Sequence, residues 1–388
     1  MNYKKYIKGD KVIWMVILLL SVISLLAVYS SSGSLAFAKQ DGNTSYYLIK
    51  QFILLLLGFF IIVVVHIIPY RYYSRLSQIF LYIAVPLLVI TLFTGESINQ
   101  AKRWISLPGT GFTIQPSDFA KLALTMYLAR ILSLKQNNIT NFKEVFLPAT
   151  ISVSLICILI MPANLSTAFI LFISSVLIMF IGRIPVKYIA LFLVGGALVF
   201  SSFVAVSLAV NKEGRISTWK NRIEAYLSEE ENLENYQVNR AKIAIVDGGL
   251  IGKGPGNSIQ KNYLPLAYSD FIFAIIVEEY GLLGGIFIIA LYLWLLFRAG
   301  SIVRKCSRSF AAFLAMGLTI GLVMQALVNM AVAVNLFPVT GQTLPLVSMG
   351  GSSILFTSVA IGIVLSVSWC VEEENRLITE NPEELHHE

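Results

Sequence analysis

The sequence is short of charge. Only 13% of its 388 residues are Asp, Glu, Lys or Arg, against 56% hydrophobic residues. A soluble protein of this length needs more polar surface, so a water-soluble globular fold is excluded. Cysteine is scarce too: Cys157, Cys306 and Cys370 stand at irregular spacing, in or beside apolar runs. They give neither a disulfide framework nor a zinc site, and read as buried apolar thiols. Short alternating apolar segments are missing, which excludes a membrane β-barrel. The net charge of +7 does not call for nucleic acid, because the basic residues sit in short loops where membrane topology accounts for them.

What remains is a set of long, unbroken apolar runs. They predict an all-α, polytopic membrane protein with ten transmembrane helices, at about 12–30, 47–68, 77–94, 115–133, 145–162, 165–182, 187–210, 271–297, 309–336 and 352–371. Lys4, Lys5, Lys8 and Lys11 precede the first run, and "AFAK" at 36–39 resembles a signal cleavage site; the length of the run favours an uncleaved first helix. Alternate loops carry Arg71 and Arg75, Lys135 and Lys143, Arg183 and Lys187, then Arg298, Arg304, Lys305 and Arg308. The opposite loops hold little beyond Lys39, Lys102 and Arg103, so both termini are expected in the cytoplasm. The whole chain reads as one membrane domain, with a cytoplasmic tail at 372–388 and no internal repeat.

One connection, 211–269 between the seventh and eighth runs, is far longer than the rest and is expected outside. In it, Ile216, Trp219, Ile223 and Leu227 recur at helical spacing, as in a helix lying on the membrane surface. A second short helix is expected at 236–246. "GGLIGKGPG" (248–256) then sets five glycines around Lys253. It matches neither a P-loop nor a dinucleotide fingerprint, but backbone amides with Lys253 and Lys261 nearby suit a phosphate.

Charges inside apolar runs mark candidate chemistry. Asp118 and Lys121, behind "IQPSD", share one helix face and fit either a packing ion pair or a functional pair. Asp270 opens the eighth run, where it fits a helix cap or a base that takes a proton from an acceptor hydroxyl. Glu278 and Glu279 lie two turns deeper and need polar partners. The uncharged stretch "NLFPVTGQTLPLVSMGGSS" (335–353) reads as a re-entrant or pocket-lining loop, tolerable only when packed in protein or lining a cavity.

Four stretches in order, "RWISL…IQPSDFAKL", "GGLIGKGPGNSIQKNYLP", "SDFIFAIIVEEYGLLGG" and "FPVTGQTLPLVSMGGSS", resemble the SEDS (FtsW/RodA/SpoVE) family of bacterial cell-wall polymerases across all ten runs. "GNSIQKNYLP" lies nearer the division branch than the elongation branch. The resemblance implies a peptidoglycan glycosyltransferase that polymerises lipid II in the plasma membrane at the septum. It implies Asp270 as the essential residue and carries over Arg103, Trp104, Gln115, Ser117, Asp118 and Lys121. Lys253, Lys261, Ser348 and Ser352 join them as expected substrate contacts. A divalent cation (Mg²⁺ or Mn²⁺) held through the pyrophosphate is compatible with it. A class B penicillin-binding protein and divisome membrane proteins are the implied partners, beside lipid II and membrane lipids. Two departures stand out: "PLAYSD" has Leu266 and Tyr268 where the family has Glu and His, and "ANLSTA" has Asn164 where it has Asp. A lipid II flippase and a scaffold for a transpeptidase are the rival readings.

Overall fold

The computed structural model describes residues 8–98, 101–106, 113–210 and 233–380. Helices dominate: α1 (Lys11–Ser31), α2 (Gly33–Lys39), α3 (Thr44–Ile67), α4 (Tyr70–Thr94), α5 (Pro116–Leu134), α6 (Leu147–Ile160), α7 (Leu165–Ile181) and α8 (Val186–Val210) precede the long connection. After it come α9 (Leu233–Gly248), α10 (Ile272–Arg304), α11 (Ser309–Ala333) and α12 (Gly351–Glu380). The expected surface helix at 216–227 lies outside the described residues, whereas the one expected at 236–246 is α9.

Among the described residues seven helices are long and apolar enough to cross a membrane, and the protein is a multi-pass membrane protein. The apolar stretches Leu165–Ile181 and Val186–Ser202 are shorter. α5 occupies the expected fourth span but is diluted by Asp118, Lys121 and Arg130. Asp10 starts α1 by accepting the N–H groups of Val12 (2.8 Å) and Ile13 (3.1 Å), and its other oxygen pairs with Arg298 at the far end of α10.

The connection between α4 and α5, expected as a plain loop, contains a small antiparallel sheet: β1 (Glu96–Ile98), β2 (Ala101–Ser106) and β3 (Thr113–Ile114), in the order β1-β2-β3. Trp104 pairs with Glu96, and Ile105 with Ile114.

The largest departure concerns the eighth run, expected as a single span over 271–297. α10 is broken at Gly281, whose φ of 70° and ψ of −173° leave the helix. Its two limbs, 272–280 and 282–304, close into a sharp V. A methyl group on Gly285 would touch Val277 at 2.9 Å and Phe273 at 3.4 Å, although twelve residues of straight helix would span about 18 Å. The short limb is buried from Ile272 to Glu279, and the long limb alone is long enough to span.

The break frees backbone groups, and the glycine-rich turn after α9 satisfies them. Leu282 and Leu283 N–H donate to the carbonyls of Gly249 (2.9 Å) and Leu250 (3.3 Å). Lys253 and Gly254 N–H donate to the carbonyls of Glu278 (3.0 Å) and Glu279 (2.9 Å). Such close backbone approach requires glycine. A Cβ on Gly252, at φ +88°, would lie 2.2 Å from the Glu279 carbonyl oxygen.

Gly252→Ala should therefore destabilise the protein by more than about 3 kcal/mol, combining clash with backbone strain. Gly256, at φ +77° with nothing within 4 Å of its Cβ position, isolates the strain; Gly256→Ala should cost about 1 kcal/mol. Thermal unfolding in detergent micelles measures both.

Candidate active site

Two amides on α11, one helical turn apart, organise the polar interior. Gln325 accepts from Lys121 Nζ at 2.9 Å and donates to the Thr343 carbonyl at 2.9 Å. Asn329 donates to the carbonyls of Asp270 (2.9 Å) and Gln342 (2.7 Å). One turn of α11, about 6 Å of rise, thus separates the contact to Lys121 from the contact to Asp270. Sequence reasoning passed over Gln325 and Asn329. The available signal was two amides at i,i+4 in an otherwise apolar run.

In the connection between α11 and α12, residues 339–348 are largely buried, as expected for a pocket-lining loop, whereas Leu336 and Phe337 are exposed. Ser24 and Tyr292 donate to its carbonyls at Val347 (2.8 Å) and Pro345 (2.5 Å), and Gln342 donates to Thr167 Oγ1 (2.7 Å). Ser348 donates to the Ser269 carbonyl at 2.6 Å and accepts from Leu344 N–H, tying this loop to the Asp270 segment. Ser352 accepts from Gln115 N–H at 3.3 Å, and Gln115 Nε2 donates to Ser117. Both serines therefore hold elements together.

Asp118 and Lys121 form the expected pair, at 2.8 Å, on the first turns of α5. Asp118 is 7% exposed, and its Oδ2 is buried with no hydrogen-bond partner among the described residues. Together with Thr167, Gln325, Gln342 and Ser353 the pair lines the polar side of a small, mostly apolar cavity of about 70 Å³ between α5, α7, α11 and α12.

Asp270 is half-buried at the foot of the short limb of α10. It is not the helix cap: Phe271 occupies that position, and no side chain caps the limb. Asp270 Oδ1 accepts the Ser269 hydroxyl at 2.9 Å. Its Oδ2 and Arg103 Nη1 both face Gly341, lying 3.7 and 3.6 Å from where a Cβ there would stand. Arg103 is steadied by its Nε, which donates to the Ala163 carbonyl at 2.8 Å. Trp104 follows it on β2, so the strand pleat directs it to the opposite face.

Lys253 and Lys261 lie elsewhere. Lys253 Nζ bonds to Asp247 at 2.8 Å and Glu278 at 3.1 Å. Lys261 Nζ donates to the Gly256 carbonyl at 2.7 Å and reaches Ser30 Oγ at 3.4 Å. Glu278, fully buried, also accepts the Ser258 hydroxyl and the N–H groups of Ile259 (2.9 Å) and Gln260 (3.3 Å). Glu279 accepts the Ser30 hydroxyl. The two carboxylates that looked costly in the sequence are thus staples. Eight residues, about 12 Å of helix, separate Glu278 from Asp270.

The structure also accounts for the two departures. Asn164 Oδ1 caps α7 by accepting Thr167 N–H at 3.2 Å, a task for which Asp and Asn serve equally. At Leu266–Tyr268 the backbone makes the contact: the Tyr268 carbonyl accepts Met349 N–H at 3.0 Å. Burial, and then the charge of Asp270, push the Tyr268 phenol above its usual range.

Among the described residues no group of three or more His, Cys, Asp or Glu is placed to hold a metal ion. Asp270 stands with a hydroxyl and a guanidinium, and Asp118 with an ammonium, so neither donor set fits a resident divalent cation.

The fold defines a multi-pass membrane protein in which a half-buried carboxylate, Asp270, and the Arg103 guanidinium both face Gly341. The model describing the FtsW/RodA/SpoVE cell cycle proteins matches residues 10–373, and the chain belongs to that family. It is 34% identical over 365 residues to the probable peptidoglycan glycosyltransferase FtsW of Trichlorobacter lovleyi, covering 92% of this chain and 93% of that protein. It is also 34% identical to stage V sporulation protein E of Bacillus subtilis, over 92% and 96% of the two chains. Among solved structures, a chain of a peptidoglycan synthase complex aligns with a TM-score of 0.73 at 24% identity, over 94% of this chain and 98% of that one. The rod shape determining protein RodA of Thermus thermophilus aligns at 0.66 and 23%, over 94% and 98%.

The Lys253 network carries a pH signature. The hydrogen bond to Asp247, and then that to Glu278, raise the Lys253 ammonium above its ordinary value, while burial opposes them. A raised cationic group stabilises fully below its unfolded value, about 10.4, and that stabilisation is lost as pH rises through the folded value. Hydrogen-exchange protection of residues 249–260 should be flat through neutral pH and fall only above roughly pH 10.4. In Lys253→Met it should already be low at neutral pH; unchanged protection there would refute the strut role.

Proposed function

We propose that this chain is a peptidoglycan glycosyltransferase of septal cell-wall synthesis, polymerising lipid II into β-1,4 glycan strands. Family membership and the names of its relatives support the reaction class. The observation that carries the site is the half-buried Asp270 with Arg103 across Gly341, next to a cavity lined by Lys121. The ten-span reading counts α5, α7, α8 and the long limb of α10 as crossings. It places both termini in the cytoplasm of the bacterial plasma membrane, from the Lys/Arg asymmetry. The Asp270 cleft then opens on the outer side.

In this reading Asp270 takes the proton from the 4-hydroxyl of the acceptor sugar. The oxygen attacks the anomeric carbon of the second lipid-linked substrate, inverts it, and undecaprenyl pyrophosphate leaves. Arg103 and Lys121 are the fixed cations for the growing negative charge. Lys253, bonded to Asp247 and Glu278, and Lys261, bonded to Gly256 and Ser30, contribute by tying that loop to α9, α10 and α1. A class B penicillin-binding protein is the partner this reading expects, consistent with a likeness in fold to a chain of a peptidoglycan synthase complex.

The test is lipid II polymerisation by purified protein, with and without a co-expressed transpeptidase. Asp270→Asn preserves shape and should lower the rate by about 10²–10⁴-fold, with thermal unfolding unchanged. Normal polymerisation by this variant would remove Asp270 from the mechanism. Lipid II translocation that depends on Lys121, without polymerisation by the parent protein, would instead favour a flippase.

A further inference from the structure

The exposed face of α9 changes character along its length. Tyr236, Asn239 and Lys242 face the outside first, and its last turns show Ile243 and Val246, the latter 78% exposed, beside Asp247. The following turn presents Leu250 and Ile251, 68% and 81% exposed. These side chains are not isolated. The carbonyls of Gly249 and Leu250 are bonded to Leu282 and Leu283, and Leu282, Leu283, Ile286 and Phe287 are exposed on the long limb of α10. That limb is long and apolar enough to span, so its exposed side chains meet acyl tails. Through these bonds the glycine-rich turn adjoins that lipid-facing surface.

We propose that the last turn of α9 and residues 249–253 are inserted in the bilayer as a hydrocarbon anchor for the long connection, with phospholipid acyl chains as the occupant. Non-helical backbone enters hydrocarbon only when its polar groups are paired within the protein. Here the carbonyls of Gly249 and Leu250, and the N–H groups of Gly252, Lys253 and Gly254, have backbone partners. The N–H groups of Leu250 and Ile251 and the carbonyls of Ile251 and Gly252 have none among the described residues, which holds this backbone at the headgroup boundary while its side chains enter the hydrocarbon. The acidic side chain at this end, Asp247, is met by Lys253 at 2.8 Å. Lys242 marks the boundary, where a long basic side chain reaches the headgroups. The outer leaflet follows from the orientation proposed above, whereas insertion itself does not depend on that reading. The outcome moves the "GGLIGKG" stretch from a water-exposed loop to a membrane contact.

The test uses the full chain with Cys157→Ala, Cys306→Ala and Cys370→Ala, reconstituted in nanodiscs of phosphatidylethanolamine and phosphatidylglycerol. A nitrobenzoxadiazole label is placed in turn at Ile251→Cys, Val246→Cys and Asn239→Cys. Labels at 251 and 246 should emit blue-shifted light, lose most of it to doxyl-bearing acyl chains, and resist aqueous iodide. The label at 239 should do the reverse. Iodide quenching at 251 and 246 would overturn the insertion and leave the patch to a partner protein. Resistance to both quenchers would overturn it too, by showing cover from protein. Nanodiscs expose both leaflets, so the outcome stands apart from orientation and from glycosyl transfer.

Discussion

A polypeptide that carries irregular backbone into a membrane protein has to complete its hydrogen bonds without water. In this chain the constraint is met by one exchange: the break at Gly281 and the turn at 249–254 supply each other's missing partners. Four backbone bonds cross that joint, two in each direction. They hold the short limb of α10 against the long limb, and the short limb carries Asp270 at its foot. Without the exchange the freed groups of Glu278, Glu279, Leu282 and Leu283 would sit unpaired in a buried place, each costing roughly 1–3 kcal/mol.

The short limb sets two carboxylates in opposite conditions. Glu278 is fully buried and surrounded by donors: an ammonium, a hydroxyl and two backbone N–H groups. A buried charge so compensated is costly to disturb and rigid in consequence. Asp270, two turns away, accepts the Ser269 hydroxyl and stands half-exposed near Arg103. One end of the limb is thus a buried anchor and the other a half-exposed carboxylate. Asn329 fixes the backbone of Asp270 rather than its side chain, which positions the carboxylate without occupying it.

Much of this was legible in the sequence, because hydropathy reports burial in lipid directly. The runs that became α1, α3, α5, α7, α8 and α11 lie within three residues of the expected bounds, whereas α4 starts seven residues early and α12 runs nine residues on. The uncharged 335–353 stretch is largely buried from Val339 to Ser348, as its composition suggested. What the sequence hid was direction. "FIFAIIVEEYGLLGGIF" is apolar on both sides of Gly281, so hydropathy reads one span where the chain turns back on itself. The glycines were visible as unusual, but their purpose, close backbone approach to Glu279 and Leu250, depends on residues of another element. The amides Gln325 and Asn329 were hidden by their neighbours, since two polar groups scarcely lower the mean of an apolar helix. For Lys253 and Lys261 the sequence showed only that a lysine among glycines suits a phosphate; their bonds, to Asp247 and Glu278 and to Gly256 and Ser30, depend largely on residues of other elements.

The same joint links membrane and cleft. Its glycine-rich side presents Leu250 and Ile251 outward, and its helical side leads down to Asp270, with Glu278 and Lys253 between them. A loop held at bilayer depth on one side and stapled to the short limb on the other fixes the height of the carboxylate relative to the lipid. For lipid-linked substrates that height matters as much as local geometry. Their reacting sugars are tethered at a set distance from the hydrocarbon, and a base placed a helical turn too high or too low would miss the hydroxyl by about 5 Å. The costly burial of Glu278 thus becomes intelligible as a spacer that sets the Asp270 carboxylate relative to the glycine-rich turn.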